Sequence, residues 1–166
     1  TCKTGSSGEL IFVDILREFK VNQKLCATEN RHIVYTDAKP KSGQTDKTEI
    51  LGEWEEEFNT DPVQLFRYSA LTFNGHRIHY DREYATEVES YPGLVVHGPL
   101  LATMLSLFAE QQTGRKLRTF SFRAKRPIFD LDSYILTGSF SGKDSAELRV
   151  IDHQSQLSMS AEAEFL

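Results

Sequence analysis

Imidazole side chains are concentrated in one part of the chain. His76, His79 and His97 are three of its five histidines, and Asn74 lies in the same polar loop as the first two. An imidazole titrates near neutral pH, so His79 can take a proton from water and return it. The amide of Asn74 can orient a water molecule but cannot exchange protons. These residue types predict a site that handles water.

A glycine at the start of a predicted helix adds a second chemical element. Gly98 and Pro99 open the most apolar helix predicted, which Gly114 ends. Backbone N–H groups at a helix N-terminus face developing negative charge, helped by the helix dipole. Hydrating or dehydrating an acyl thioester needs a base for the water and a donor for the enolate oxygen. His79 and the Gly98 N–H suit these two roles.

The elements that must hold these residues form an α+β pattern. Asp61 and Pro62 start a short helix, residues 63–72, which leads into the polar loop. After the long helix, apolar alternation and polar turns predict an antiparallel sheet that wraps it. The predicted strands are residues 117–126, 134–141, 146–152 and 156–165.

The chain divides into a short N-terminal part and a longer C-terminal part. Residues 10–35 predict a long hairpin whose layout matches that of residues 146–165, so residues 1–36 are interpreted as the closing strands of a first unit. Chance similarity between two amphipathic hairpins is the alternative. Residues 37–48 contain almost no apolar side chain and predict a flexible linker. Residues 49–166 would then form a complete second unit.

Composition argues against several classes of protein. With 166 residues, 39% of them hydrophobic, the chain can bury a sizeable core. A net charge of −5 disfavours binding driven by nucleic-acid phosphates. Cys2 and Cys26 are too few for a disulfide framework, and no spacing suggests a metal site, which indicates free thiols in a reducing compartment. We expect a cytoplasmic protein, with the mitochondrial matrix as the alternative, and no nucleic-acid or membrane partner.

The polar loop and the helix start together resemble a known enzyme family. Residues 72–79, Thr-Phe-Asn-Gly-His-Arg-Ile-His, resemble the hydration motif of the MaoC-like R-specific enoyl-CoA hydratases, and residues 91–104 resemble that family's helix start. The longer string of residues 65–81 is most similar to the subgroup of mesaconyl-CoA (3-methylfumaryl-CoA) hydratases and hydroxyacyl-thioester dehydratases. In that subgroup two hot-dog units are fused, and only the second carries the motif.

The resemblance implies a fold, an activity and a set of catalytic residues. The fold is a hot dog, an α+β structure with a long central helix wrapped by an antiparallel sheet, here the second unit of a double hot dog with a partial first unit. The activity is that of a hydro-lyase acting on a coenzyme A or acyl-carrier-protein thioester without a cofactor. The family's histidine and oxyanion glycine fall on His79 and Gly98, and its aspartate falls on Asn74. A homodimer, or a pseudo-dimer with a fused first unit, is expected.

Further candidate substrate contacts each have a structural alternative. They are Tyr68, Phe73, His76, Arg77 and His97. Tyr68 and Phe73 can instead belong to the core. His76 can bond its own loop, and His97 can cap or pack at the helix start. Arg77 can pair with Asp81 instead of meeting substrate.

Two other functions stay open at this stage. A hot-dog thioesterase would need a carboxylate on or near the central helix, where Glu110 is the only acidic residue and lies near the far end. A non-catalytic module that binds acyl thioesters is the other alternative, since Asn74 replaces the family's aspartate. Loss of enoyl absorbance, release of free thiol, or binding alone would separate the three functions.

Overall fold

A computed structural model describes residues 2–5, 8–36 and 52–166, with side chains for residues 10–35 in the first part. The chain forms two compact units that meet in sequence between Gln44 and Thr45. The predicted linker, residues 37–48, lies outside the described residues.

The N-terminal unit is a three-stranded antiparallel sheet in the order β1-β2-β3. Its strands are β1 (Cys2–Gly5), β2 (Gly8–Val21) and β3 (Lys24–Thr36). Asn22 and Gln23 join β2 to β3 and have φ values of 48° and 65°. Two consecutive positive φ angles give a turn whose twist matches that of a hairpin. The predicted hairpin is confirmed, and its assignment to a first hot-dog unit stays a prediction.

The C-terminal unit contains a five-stranded antiparallel sheet in the order β4-β6-β7-β8-β5. The strands are β4 (Trp54–Phe58), β5 (Leu117–Ala124), β6 (Tyr134–Phe140), β7 (Ser145–Asp152) and β8 (Leu157–Phe165). Two α-helices, α1 (Pro62–Thr72) and α2 (Gly98–Thr113), lie between β4 and β5 in sequence. A 3₁₀ turn (Arg77–His79) and a π-helical turn (Tyr84–Val88) link the helices.

Local capping determines where both helices begin and end. The Asp61 carboxylate accepts a hydrogen bond of 2.8 Å from the Gln64 N–H, and Pro62 takes the first position of α1, where a missing N–H costs nothing. Gly114 ends α2 with φ 67°, a left-handed conformation that glycine adopts without steric penalty. These helix boundaries confirm those predicted from the sequence.

The core lies between α2 and the sheet. Leu105 and Phe108 of α2 are 0% and 2% exposed, and they belong to one buried cluster with Leu136, Val150 and Met159 of the sheet. Burying a large apolar side chain contributes about 1.5–3 kcal/mol, so each of these residues stabilises the unit measurably. The predicted α+β arrangement is confirmed. No helix among the described residues is long and apolar enough to cross a membrane.

Candidate active site

Backbone hydrogen bonds hold the segment before α2 between two other parts of the unit. The Val95 N–H donates to the Ile78 carbonyl at 3.0 Å, and the Val96 N–H donates to the Ile128 carbonyl at 2.8 Å. The first bond joins the segment to the 3₁₀ turn that carries His79. The loop and the helix start that the sequence analysis singled out are therefore connected directly.

Asp130 fixes this segment from the other side. Its carboxylate is 1% exposed, accepts the Leu94 N–H at 2.9 Å and pairs with Arg82. Its own N–H donates to the Leu94 carbonyl at 3.0 Å. A Cβ on Gly93 would come within 2.9 Å of the Asp130 carboxylate, so a glycine is needed for this close approach. Sequence reasoning missed Asp130, because no local pattern signals a contact across 36 residues.

His79 is buried in a defined tautomer. Its side chain is 8% exposed, and its Nδ1 lies 2.7 Å from the Val95 carbonyl oxygen. A carbonyl only accepts, so Nδ1 carries the proton and Nε2 keeps its lone pair. Burial lowers the pKa of His79 below its usual value, the Val95 hydrogen bond partly opposes this, and the nearby His76 lowers it further. His79 is therefore neutral near pH 7 with Nε2 able to accept a proton.

His97 packs against His79. Their ring centroids are 3.7 Å apart and their planes are inclined by 17°. His97 is fully buried, and its Nε2 lies 2.8 Å from the Ser69 hydroxyl of α1. Burial, together with the neighbouring His79, lowers the pKa of His97 to about 4. Tyr68 meets the His97 ring edge-on with centroids 4.8 Å apart, so α1 holds this imidazole through two adjacent residues.

Ser69 was missed by sequence reasoning, although a weak signal existed. It is 5% exposed and follows Leu65, which is fully buried, by four residues on the same helix face. A polar side chain on a buried helix face needs a hydrogen-bond partner. The sequence could therefore indicate that Ser69 has a partner, but not that the partner is His97.

The residues of the polar loop make different kinds of contact. The Asn74 side-chain oxygen accepts the His76 N–H at 3.1 Å, and the exposed His76 ring meets the His79 ring edge-on at 5.6 Å. Arg77 pairs with Asp81 at 2.7 Å, which is the structural alternative that the sequence analysis left open. His76 therefore stands beside His79, Asn74 bonds the backbone of its own loop, and the Arg77 guanidinium is engaged by a carboxylate.

Phe73 and Gly98 occupy the ends of the two helices. Phe73 follows α1 with φ 53°, and its side chain is 95% exposed. Gly98 is the first residue of α2 and directly follows the buried His97. A Cβ on Gly98 would meet the Ala124 Cβ at 3.9 Å, an ordinary contact. Packing therefore does not require glycine at position 98.

The chain matches the family model described as hydroxyacyl-thioester dehydratase type 2 over residues 2–130. It is 43% identical over 145 residues to the mesaconyl-C(4)-CoA hydratase of Chloroflexus aurantiacus, covering 86% of this chain and 52% of that protein. It is 37% identical over 110 residues to the mitochondrial hydroxyacyl-thioester dehydratase type 2 of Schizosaccharomyces pombe, covering 64% of this chain and 37% of that protein. The chain thus spans about half, or less, of the length of these relatives.

Solved structures share the fold. HtdX from Mycobacterium tuberculosis matches with a TM-score of 0.74 at 15% identity, over 100% of this chain and 66% of that chain. The (R)-hydratase from A. caviae involved in PHA biosynthesis matches with a TM-score of 0.59 at 20% identity, over 72% of this chain and 96% of that chain. The predicted hot-dog fold is confirmed. Because the family model spans more than half of the sequence, the chain belongs to the hydroxyacyl-thioester dehydratase type 2 family, as its motif predicted.

Proposed function

We propose that the protein is a hydro-lyase that adds water to, or removes it from, the Cα–Cβ bond of an acyl thioester. One observation carries the proposal: the His79 Nδ1 is bound to the Val95 carbonyl at 2.7 Å, which leaves Nε2 as a base. Because burial lowers the pKa of His79, the basic form is populated at neutral pH. A general base of this kind contributes typically about 10²–10⁴-fold to a rate.

The proposed reaction uses one residue for both proton transfers. His79 Nε2 takes a proton from water as the water oxygen bonds to Cβ. The electron pair of the C=C bond moves to Cα and is delocalised onto the thioester oxygen as an enolate. The Gly98 N–H, at the start of α2, donates to that oxygen. His79 then returns its proton to Cα, and dehydration follows the same steps in reverse.

Asn74 has a supporting role in this proposal. Its side-chain oxygen already accepts the His76 N–H at 3.1 Å, so the amide NH₂ is the group that can donate to the water. An amide cannot act as a second proton-exchanging group in place of the family's aspartate. The role of Asn74 is therefore to orient the water, and the proton chemistry rests on His79.

A groove between α1 and the start of α2 is the proposed place for the acyl part. Its walls are formed by Asp61, Val63, Gln64, Arg67, Tyr68, Leu71 and Leu100. Tyr68, which forms part of the groove wall, also contacts the His97 ring. One relative, from Chloroflexus aurantiacus, is named as a mesaconyl-C(4)-CoA hydratase. This name supports a short, branched acyl group as the substrate proposed for this chain. His76, Arg77 and Phe73 complete the proposed substrate-facing set, whereas His97 is fully buried and does not belong to it.

The assembly is part of the same proposal. Residues 1–36 would be the closing strands of a first hot-dog unit, residues 37–48 a linker, and residues 49–166 the complete second unit. The catalytic unit would work as a homodimer or as a pseudo-dimer with the fused first unit. The carrier would be coenzyme A or an acyl carrier protein, in a cytoplasmic or mitochondrial compartment.

Glu110 argues against a thioesterase. Its carboxylate accepts hydrogen bonds from Lys116 at 2.6 Å and from the Leu117 N–H at 3.0 Å, near the C-terminal end of α2. These partners hold the pKa of Glu110 below its usual value, and they engage both carboxylate oxygens at the opposite end of the helix from Gly98. Such a carboxylate is poorly suited to attack a thioester near the imidazoles.

The test uses crotonyl-CoA and saturated butyryl-CoA as separate substrates. We expect the wild type to consume the enoyl absorbance of crotonyl-CoA and to release no thiol from butyryl-CoA. His79→Ala should lower kcat by about 10²–10⁴-fold. His153→Ala is the matched control, because His153 is an exposed histidine on the turn after β7. Thiol release, or binding without turnover by the wild type, would reject the hydro-lyase in favour of a thioesterase or a binding module.

A further inference from the structure

His97 is a buried imidazole that performs no step in the hydration proposed above. It is 0% exposed, and its Nδ1 has no hydrogen-bond partner among the described residues. A buried polar atom without a partner costs stability, and a phenylalanine or leucine at this position would avoid that cost. Packing alone therefore does not account for an imidazole at position 97.

The face of His97 restricts the ring of His79. The two rings are nearly parallel, at 17°, with centroids 3.7 Å apart. The Val95 carbonyl holds the edge of the same ring at Nδ1, 2.7 Å away. One edge contact and one face contact define the ring plane and the direction of the Nε2 lone pair. Residues 95–97 therefore orient His79 from two sides.

Ser69 in turn anchors His97. Its hydroxyl lies 2.8 Å from His97 Nε2 in a buried contact that spans 28 residues. Since Ser69 belongs to α1 and Tyr68 packs edge-on against the same ring, His97 is tied to a rigid element. A chain of contacts thus runs from α1 through His97 to the base.

The charges around the pair are compatible with this arrangement. The titratable groups that face the rings are His76 beside His79 and Tyr68 beside His97. Burial and the adjacent His79 hold the pKa of His97 near 4, so His97 stays neutral while His79 accepts a proton. A neutral aromatic face can support an imidazolium, whereas a charged one would repel it.

We propose that His97, anchored by Ser69, is a positioning residue that holds the His79 imidazole in the orientation needed to exchange a proton with water. The proposal rests on the function assigned to His79 above. It replaces the expected substrate contact of His97 with an action through another side chain. A misplacement of about 1 Å in a reacting group can cost about 100-fold in rate, so such positioning has a measurable effect.

The first test compares His97→Ala, His97→Phe and Ser69→Ala in crotonyl-CoA hydration. We expect His97→Ala to lower kcat by about 100-fold, with KM within about twofold of the wild type, because the face contact is lost. His97→Phe keeps an aromatic face, so its kcat should fall by about tenfold or less. The kcat of Ser69→Ala should lie between those of the two His97 variants, since the His97 ring remains but the hydroxyl that anchors it is gone. His153→Ala again serves as the control.

The second test is an NMR titration of His79, which does not depend on turnover. His97→Ala exposes the His79 ring, so the pKa of His79 should rise toward its usual value, whereas in His97→Phe it should stay low. An unchanged kcat in both His97→Ala and Ser69→Ala overturns the proposal. A pKa of His79 that does not rise in His97→Ala overturns it as well. If His97→Ala does not fold, Ser69→Ala decides alone. If the wild type hydrates nothing, the assigned function fails, and the titration still decides the positioning.

Discussion

The imidazoles of His79 and His97 stack face to face, with centroids 3.7 Å apart, although the two residues are 18 positions apart in the sequence. Both rings are buried, and burial lowers the pKa of each. Two adjacent buried imidazoles cannot both become charged without a large cost in stability. The pair therefore couples the protonation of the site to the stability of the unit.

We expect the protein to lose stability as the pH falls from about 6.5 to about 4, in part through His97. The unfolded chain binds a proton at this histidine near pH 6.5, whereas the folded chain binds it only near pH 4. Between these values the unfolded state holds more protons, so the free energy of unfolding decreases as the pH falls. The contribution of His97 is at most about 3 kcal/mol. Urea denaturation at pH 7 and pH 4.5 measures it.

His97→Phe is the comparison that isolates this contribution, because carboxylates titrate in the same range. The variant should lose less stability than the wild type between the two pH values. Equal decreases in the free energy of unfolding would mean that folding does not lower the pKa of His97.

The helix boundaries could be predicted from the sequence because capping is local. Asp61 and Pro62 specify where α1 begins, and Gly114 specifies where α2 ends, each within a few residues. The order of the helices and strands could also be predicted, because apolar periodicity is a local signal as well. His79 could be identified because residues 72–79 resemble the hydration motif of the family.

The partners of the site residues could not be predicted in the same way. The Ser69 contact to His97 spans 28 residues, and the Asp130 contact to the Leu94 N–H spans 36. Such contacts depend on how the chain returns in space, which no local pattern encodes. The role of His97 changed most, because its face contact with His79 is visible only after folding.

Phe73→Asn should raise stability and weaken substrate binding together. Phe73 has φ 53° and is 95% exposed, so the chain holds a large apolar residue in a left-handed conformation without burying it. Relieving that strain should raise the free energy of unfolding by about 1 kcal/mol, since asparagine tolerates this conformation. If the ring contacts the acyl chain, KM should rise roughly tenfold.

Phe66→Gln provides the matched control for stability. Phe66 is an exposed phenylalanine of the same helix, at 59%, but it lies within α1 and not at its left-handed end. We expect no gain in stability from this variant in thermal or urea unfolding. A Phe73→Asn protein with higher stability and the wild-type KM would remove Phe73 from the proposed substrate contacts.

Gly98→Ala and Gly98→Pro separate the packing at the start of α2 from its chemistry. An alanine Cβ would meet the Ala124 Cβ at 3.9 Å, so the fold should accept it with little change in the free energy of unfolding. Proline removes the N–H altogether. His97, the preceding residue, has φ −62° and ψ 127°, the extended conformation that a following proline prefers. Proline is also well tolerated in the first turn of a helix.

If the Gly98 N–H donates to the enolate oxygen, Gly98→Pro should lower kcat for crotonyl-CoA hydration by about 10²–10³-fold. Gly98→Ala keeps the N–H donor, so its kcat should fall less. The remaining decrease would come from the added methyl group beside the thioester. The His79 titration should be unchanged in both variants, because the Nδ1 of His79 is bound to the Val95 carbonyl and not to residue 98. A Gly98→Pro enzyme with wild-type kcat would show that another group carries the charge of the enolate, since no N–H would remain at position 98.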